Sequence, residues 1–106
     1  MSFHHSAMGI RVEDGHRLLA QLETGDGEWV DAEFDLNQIL GNNNGYFEWD
    51  GTEFSHSAEE ISFDTEGEEN VPVLRALLRN DEGELVRADV NLAERIGNDN
   101  GNFRFD

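Results

Sequence analysis

Gly41-Asn42-Asn43-Asn44-Gly45 and Gly97-Asn98-Asp99-Asn100-Gly101 are two copies of one Gly- and Asn-rich turn, and they decide how this chain folds. The Asn-Gly dipeptide inside each copy is the strongest short-range signal for a two-residue β-hairpin. After each turn, aromatic and polar residues alternate, with aromatic rings at Phe47, Trp49, Phe103 and Phe105. A period of two predicts a strand with one buried face, so each turn is expected to join two strands.

The matching turns belong to a duplication that runs through the sequence. Residues 15–50 align with residues 71–106 at a shift of 56, whereas residues 3–10 align with residues 54–61 at a shift of 51. The difference of five residues places an insertion near Glu66–Asn70, which we expect to be a surface loop. The predicted repeats are 1–50 and 51–106. Because a copy of about 50 residues buries little apolar surface alone, we predict one domain over 1–106 with a shared core.

Other strands and turns of each copy follow from the same kind of pattern. Apolar residues alternate along 18–22 and 30–36, and again along 74–78 and 86–92, which predicts half-buried strands. Gly25-Asp26-Gly27 and Asp81-Glu82-Gly83 predict the hairpin turns between those strands. The apolar alternation also predicts mostly core positions for the aromatic residues Trp29, Trp49 and Tyr46.

Short helical turns are predicted beside the Asn-rich turns. Asp35 and Asn91 each precede a Gln or Glu by three residues, a spacing typical of a capping box. Gly41 and Gly97 are expected to end these turns in a left-handed conformation. The stretch 57–60 predicts a further helical turn near the start of the second copy.

Composition excludes several classes of partner. The chain has 24 acidic residues and 7 basic residues, and its net charge is −17. The basic residues are all Arg. A surface this negative repels phosphates, so nucleic acids and anionic membranes are not expected as partners. There is no cysteine, hence no disulfide and no thiolate metal site. The first nine residues have no basic start and no apolar run, so no signal peptide is predicted and the protein is expected to be cytoplasmic or exported without a leader.

The segments around the two turns resemble the cyanovirin-N homologue family of lectins. The resemblance rests on Asp35-Leu36-Asn37-Gln38-Ile39-Leu40 before the first turn and Val90-Asn91-Leu92 before the second. It implies an all-β, pseudo-symmetric tandem repeat with strand exchange between repeats, built from triple-stranded sheets, β-hairpins and short helical turns. The founding member has a disulfide in each repeat. Here those positions hold Ala7, Leu22, Ala58 and Leu78, which is similar to the cysteine-free fungal branch.

The resemblance also implies a function and two sites. The family binds oligosaccharides rich in α(1→2)-linked mannose, without metal or cofactor, and is not catalytic. Carried over, the first site comprises His5, Ser6, Glu23, Thr24, Gly25, Asn98, Asp99 and Asn100. The second comprises Gly41, Asn42, Asn43, Asn44, Glu53, Ser57, Arg79, Asn80 and Asp81. Amides, hydroxyls and carboxylates of this kind suit the vicinal hydroxyls of a sugar.

Several departures from the family pattern bear on which site works. Gly25 replaces a hydroxyl side chain at the first site, whereas Asp81 replaces an Arg clamp and Gly83 an amide at the second. Arg79 lies one strand-face step from Asp81 and is a candidate replacement for the Arg clamp. The sequence therefore favours the first site. Binding is expected to be weak, through one site or both, because each hydrogen bond contributes about 1 kcal/mol.

Alternative interpretations stay open beside the lectin. Asn and Gly are also what hairpin turns require, so Asn42 and Asn98 fit a purely structural role. A structural or protein-interaction module with decayed sugar sites explains the departures, and the many carboxylates leave a glycosidase as a less favoured alternative. His4 and His5 are expected to point to opposite sides of a strand, which is poor geometry for one metal ion. The expected partners are mannose-containing oligosaccharides or glycoproteins; a monomer is expected, with a strand-swapped dimer as the alternative.

Overall fold

The computed structural model describes residues 3–106, in which ten strands and four 3₁₀ turns are found. The strands are β1 (Ala7–Glu13), β2 (Arg17–Glu23), β3 (Trp29–Asp35), β4 (Leu40–Asn43), β5 (Tyr46–Trp49), β6 (Ala58–Glu66), β7 (Val71–Arg79), β8 (Leu85–Asn91), β9 (Ile96–Asp99) and β10 (Asn102–Phe105). The 3₁₀ turns are η1 (Phe3–Ser6), η2 (Leu36–Gln38), η3 (Phe54–Ser57) and η4 (Leu92–Glu94). Met1 and Ser2, the first residues of the predicted first repeat, lie outside the described residues.

Each repeat forms one three-stranded antiparallel sheet and one separate hairpin. The sheets have the orders β1-β2-β3 and β6-β7-β8, and the hairpins are β4–β5 and β9–β10. On β2, the side chains of Leu18, Ala20 and Leu22 are buried while the residues between them face outward. The predicted all-β class and its hairpins at residues 25–27, 44–45, 81–83 and 100–101 are confirmed.

The hairpins are exchanged between the repeats, as the resemblance implies. The hairpin β4–β5 packs on β8 and η3 of the second repeat, and β9–β10 packs on β3 and η1 of the first. Aromatic rings seal both contacts: the centroid of Phe103 lies 5.3 Å from that of Phe3, and the centroid of Phe47 lies 5.5 Å from that of Phe54. Each end of the molecule is therefore built from residues of both repeats.

Buried side chains from both repeats form one hydrophobic cluster. Phe3 and Phe54, which are equivalent in the duplication, are at most 1% exposed within it. Trp49 and Phe105, another equivalent pair, stack with ring centroids 5.8 Å apart. Each repeat thus covers apolar surface that the other leaves open, which compensates for the small size of one copy. Among the described residues, no helix is long and apolar enough to span a bilayer.

The helical turns end differently from the sequence prediction. Gly41 and Gly97 do not adopt the left-handed conformation; they are buried strand residues of β4 and β9. The two turns end at Gln38 and Glu94, each three residues before its glycine. Gly41 is required for close packing instead. A Cβ atom there would lie 3.0 Å from both the Cα of Gly51 and the backbone N of Thr52. The absence of a side chain, and not the freedom of φ, accounts for this glycine.

Two other local predictions are also refined by the structure. The helical turn predicted at residues 57–60 lies earlier, at Phe54–Ser57, and residues 58–60 begin β6 because Ala58 pairs with Leu78. The insertion near Glu66–Asn70 does form a surface turn. It also lengthens the flanking strands to nine residues, against seven in the first repeat.

Asp35 gives the first helical turn a pH-sensitive cap. Its Oδ1 accepts hydrogen bonds from the backbone N–H of Asn37 and from Nδ1 of His16, each at 2.9 Å. Burial raises the pKa of Asp35, but the hydrogen bonds from His16 and Asn37 outweigh it and leave that pKa below its usual value. A carboxyl with a lowered pKa stabilises the fold above its unfolded pKa, and this stabilisation is lost as the pH falls through the folded pKa.

We expect the Asp35→Asn variant to lose about 0.5 kcal/mol of stability at pH 7, because the His16 contact is partly exposed. The loss should shrink between pH 7 and about pH 2, because Asp35 becomes neutral as the pH falls through its lowered pKa. Asn91 is the internal control: it occupies the equivalent position and caps η4 through an identical 2.9 Å bond from the N–H of Ala93. Urea unfolding at both pH values measures the difference, and an equal loss at the two would contradict the assignment.

Candidate functional site

Asn98 pins the second Asn-rich turn to the first repeat. Its Nδ2 donates to Oγ of Ser6 at 2.8 Å and to the carbonyl oxygen of Glu23 at 2.9 Å. Its Oδ1 accepts from the backbone N–H of Gly101 at 2.8 Å. Both amide donors and the side-chain oxygen are therefore engaged within the protein. These bonds gather three separate segments of the predicted first site.

Asn42 does the same at the other end of the molecule. Its Nδ2 donates to Oγ of Ser57 at 2.9 Å and to the carbonyl oxygen of Arg79 at 2.8 Å, and its Oδ1 accepts from the N–H of Gly45 at 2.9 Å. The two repeats thus use equivalent residues for equivalent bonds. The sequence left open a purely structural role for Asn42 and Asn98. Their side-chain contacts support that role.

A second asparagine in each turn holds the tip of the neighbouring hairpin. Oδ1 of Asn100 accepts from the N–H of Gly25 at 2.8 Å, and Oδ1 of Asn44 accepts from the N–H of Asp81 at 2.9 Å. Both asparagines have positive φ, 51° and 52°, a conformation that Asn tolerates better than most residues. The β2–β3 and β7–β8 tips are consequently fixed against the Asn-rich turns.

The hairpin tips are also held from within. Oγ1 of Thr24 and Oδ1 of Asn80 occupy equivalent positions, and each accepts two backbone N–H bonds from its own loop. The Thr24 hydroxyl keeps its proton for donation, whereas the Asn80 amide keeps its NH₂ group. The two tips therefore share a backbone shape but offer different free groups to a ligand.

The first site retains several side-chain groups that the fold does not use. Glu23 and Asp99 are exposed, and within residues 3–106 neither carboxylate has an ion-pair partner. Ser6 accepts from Asn98 and still has its hydroxyl proton to donate. The predicted members of this site are thus brought together, with acceptors and donors both available at its rim.

His5 sits at the edge of the first site, in η1 and not in a strand. Its ring is exposed, and its centroid lies 4.1 Å from that of His4, so the two rings do not point apart as predicted. Burial lowers the pKa of His4, and the neighbouring His5 lowers it further. Among the described residues no cluster of three metal-ligating side chains occurs.

At the second site, unlike the first, the charged side chains of Arg79 and Glu53 are engaged in contacts within the protein. Arg79 donates from Nη1 to the carbonyl oxygen of Gly83 at 2.9 Å and from Nη2 to Oε2 of Glu59 at 3.2 Å, so two of its donors lie along the sheet. Glu53 adopts a left-handed backbone with φ of 62°, and its Oε2 lies 2.7 Å from Nε2 of His56. The exposed members of this site are Asn43, Asn44, Glu53, Arg79 and Asp81, and Glu53 and Arg79 are the two held by the contacts just described.

A pocket of about 250 Å³ adjoins the second site, and five of its seven lining residues are not among those predicted from the sequence. It is lined by the predicted Asn44 and Asn80 together with Gly45, Tyr46, Glu82, Val86 and Arg87. Tyr46 is 72% exposed and Trp29 is 41% exposed, so the prediction that these rings are mostly core is wrong for both. The alternation that predicts burial holds for Trp49, which packs against the core.

The sequence of this chain matches the model of a known protein family over almost its whole length. The sequence model of the CVNH domain matches residues 3–104. The chain belongs to the CVNH family. This confirms the resemblance drawn from the Asn-rich turns and their flanking residues.

Relatives support the CVNH assignment at the level of sequence and of structure. A cyanovirin-N homolog from Neurospora crassa is 47% identical over 108 residues, covering 98% of this chain and 97% of the relative. The NMR structure of the CVNH protein of Gibberella zeae superposes with a TM-score of 0.94 at 48% identity, covering 98% of this chain and 96% of the other. The structure of microvirin in complex with mannobiose shares the fold, with a TM-score of 0.87 at 22% identity and coverage of 99% and 98%.

Proposed function

We propose that this CVNH-family chain is a lectin that binds neutral oligosaccharides, with α(1→2)-linked mannose as the preferred unit. Binding needs no metal and takes place at the two clefts between Asn-rich turn and opposing hairpin tip. The observation that carries the proposal is the set of unused donors and acceptors at these clefts, above all Glu23, Asp99 and the Ser6 hydroxyl. A related fold, microvirin, was solved with mannobiose bound.

The chemistry of the clefts supports a neutral ligand. With a net charge of −17, the protein repels anions at long range, whereas a sugar hydroxyl can donate to a carboxylate and accept from a hydroxyl or amide. Each such bond is worth about 1 kcal/mol net, somewhat more when one partner is charged. One cleft alone therefore binds weakly, and tight binding to a branched glycan requires both clefts or several copies.

We expect α(1→2)-mannobiose at millimolar concentration to shift the amide NMR signals of residues 23–25 and 98–100 saturably. The Glu23→Gln variant should weaken this binding about tenfold, because it removes a charged acceptor worth about 1.5 kcal/mol. Glu28→Gln is the matched control. Glu28 is exposed on the same hairpin but lies outside the predicted site, so its variant should bind as tightly as the wild type.

The outcome also separates the lectin from its rivals. If neither turn cluster responds to mannobiose, the proposal fails and the structural or protein-interaction alternative takes its place. One observation favours that alternative: the side chains of Asn42 and Asn98 are fully used in holding the repeats together.

A glycosidase is supported less well. Its general acid requires a carboxyl with a raised pKa. Two carboxyls have a pKa shifted in the opposite direction, because hydrogen bonds from Arg17 and Arg75 lower the pKa values of Glu33 and Glu66. Release of reducing sugar from an oligomannoside during the same titration would favour the enzyme.

A further inference from the structure

We propose that the second cleft continues into a neighbouring groove, and that this groove binds the next residues of a neutral oligosaccharide. The inference rests on the proposed lectin function and extends it to ligand length. The groove has a volume of about 600 Å³, within the range typical of small-ligand sites. Its lining residues are Tyr46, Phe47, Glu60, the stretch 75–77 and the stretch 87–89.

Two residues connect the groove to the second cleft. Tyr46 and Arg87 line both the groove and the 250 Å³ pocket, and that pocket also contains Asn44 and Asn80 of the predicted second site. A ligand seated between the Asn-rich turn and the hairpin tip therefore has a continuous path past these two side chains. The direction of the path is along the outside of the β6-β7-β8 sheet.

Strand pairing explains why the groove walls are polar. Arg75 pairs with Asp89 and Leu77 pairs with Arg87, across β7 and β8. Arg75 and Leu77 alternate with buried neighbours on β7, and Arg87 and Asp89, their partners on β8, alternate with less exposed ones, so the four side chains share the face that points away from the core. They give the groove donors, an acceptor and an apolar contact at one surface, which is the mixture that a sugar face requires.

Arg87 is the residue that most needs an explanation. The six other arginines each form an ion pair, and within residues 3–106 Arg87 alone has none. In a chain with 24 acidic residues, a guanidinium without a carboxylate partner keeps five donors available. Asp89 and Glu60 line the same groove, and Arg75 is paired with Glu66, so the groove is not a cationic site for an anion.

Tyr46 adds an aromatic surface at the junction. It follows the Asn-Gly turn at the start of β5 and is 72% exposed, so its ring is available to pack against a ligand. The first repeat lacks the whole set. The residues equivalent to Tyr46, Arg75, Leu77 and Arg87 are Asn102, Leu19, Gln21 and Asp31. The extension is therefore specific to the second cleft.

The test compares α(1→2)-mannobiose with a linear α(1→2)-linked mannotetraose, site by site, by NMR titration of the full chain. We expect the tetraose to bind the second cleft about tenfold more tightly than the biose. Only the tetraose should shift the amide signals of Tyr46, Leu77 and Arg87. Tyr46→Ala and Arg87→Gln should each bring the tetraose-to-biose affinity ratio close to one. Asn102→Ala, the repeat-equivalent control, should leave the ratio near ten.

The possible failures are distinguishable. If the biose moves neither turn cluster, the lectin function fails and the inference fails with it. If the biose binds at either cleft but the tetraose gains nothing and leaves the groove signals unmoved, the function stands and the inference is overturned. If the amide signals of the groove move while those of the second cleft do not, the groove is not a continuation of that cleft and the inference is overturned. If a uronic-acid tetrasaccharide binds more tightly than the mannotetraose, the proposal that the groove binds a neutral ligand is overturned. The amide spectrum of each free variant establishes that it is folded.

Discussion

The Gly45→Ala variant is expected to lose about 2–5 kcal/mol of unfolding free energy. Gly45 has a φ of +92°, a conformation that disfavours any side chain by about 1–2 kcal/mol. The site is also closed. A Cβ atom would lie 2.3 Å from Cγ2 of Val86, on the opposite repeat, and this overlap forces the hairpin away from β8. The steric contribution adds about 1–3 kcal/mol.

Gly83→Ala separates the backbone contribution from the packing contribution. Gly83 has a similar φ of +81°, but a Cβ atom there would meet no other atom within 4 Å. Its substitution should cost about 1–2 kcal/mol. The double variant Gly45→Ala/Val86→Ala should recover the steric part relative to Val86→Ala alone, since the Val86 Cβ would lie 3.8 Å from the new methyl group. Urea unfolding measures all four proteins, and equal losses for Gly45→Ala and Gly83→Ala would contradict the packing account.

The Asn98→Ala variant is expected to lose about 2–4 kcal/mol, because three hydrogen bonds disappear and the groups they satisfied are left at a half-buried junction. Those groups are the carbonyl of Glu23, the hydroxyl of Ser6 and the N–H of Gly101. The same bonds close the first cleft, so sugar binding there should weaken as well, with the second cleft unaffected.

Asn102→Ala is the control for this loss. Asn102 is an exposed asparagine of the same hairpin, and its side chain makes only a long 3.4 Å contact with the carbonyl of Asp99. Its replacement should cost less than about 0.5 kcal/mol. Asn42→Ala should match Asn98→Ala, since the two side chains make equivalent bonds, and the losses should add because they share no partners. A loss below 1 kcal/mol for Asn98→Ala would show that the clamp is dispensable.

These contacts divide the Asn-rich turns into two roles. The first and third asparagines of the first turn, Asn42 and Asn44, bind the opposing repeat, whereas the middle residue, Asn43, is exposed. The second turn divides in the same way, with Asp99 as its exposed middle residue. For a disaccharide, we therefore expect any difference in binding between the clefts to come from these middle residues and from the opposing tips, where Glu23 and Arg79 occupy equivalent positions.

The sequence by itself determined the duplication, the strands and the hairpins. These follow from local rules: a period of two in burial, and the Asn-Gly and Gly-containing turns that only a few backbone conformations accommodate. Through the resemblance it also supplied the family and the segments that meet at each cleft. Its errors at Trp29 and Tyr46 share one cause, because a local pattern gives the direction of a side chain but not what covers it. The error at Gly41 has another cause, because the glycine is required by close packing against Gly51, which is distant from the helical turn.

Only the tertiary structure decided which of the predicted groups are free. The amide donors of Asn98 are used by Ser6 and Glu23, which lie 92 and 75 positions away in the sequence. No local pattern contains such partners. In the same way, Tyr46 and Arg87 lie in different repeats and meet in one groove because the hairpin β4–β5 is exchanged onto β8. A side chain binds a ligand with the hydrogen-bonding capacity that the fold leaves over, and that remainder is fixed by contacts between distant residues.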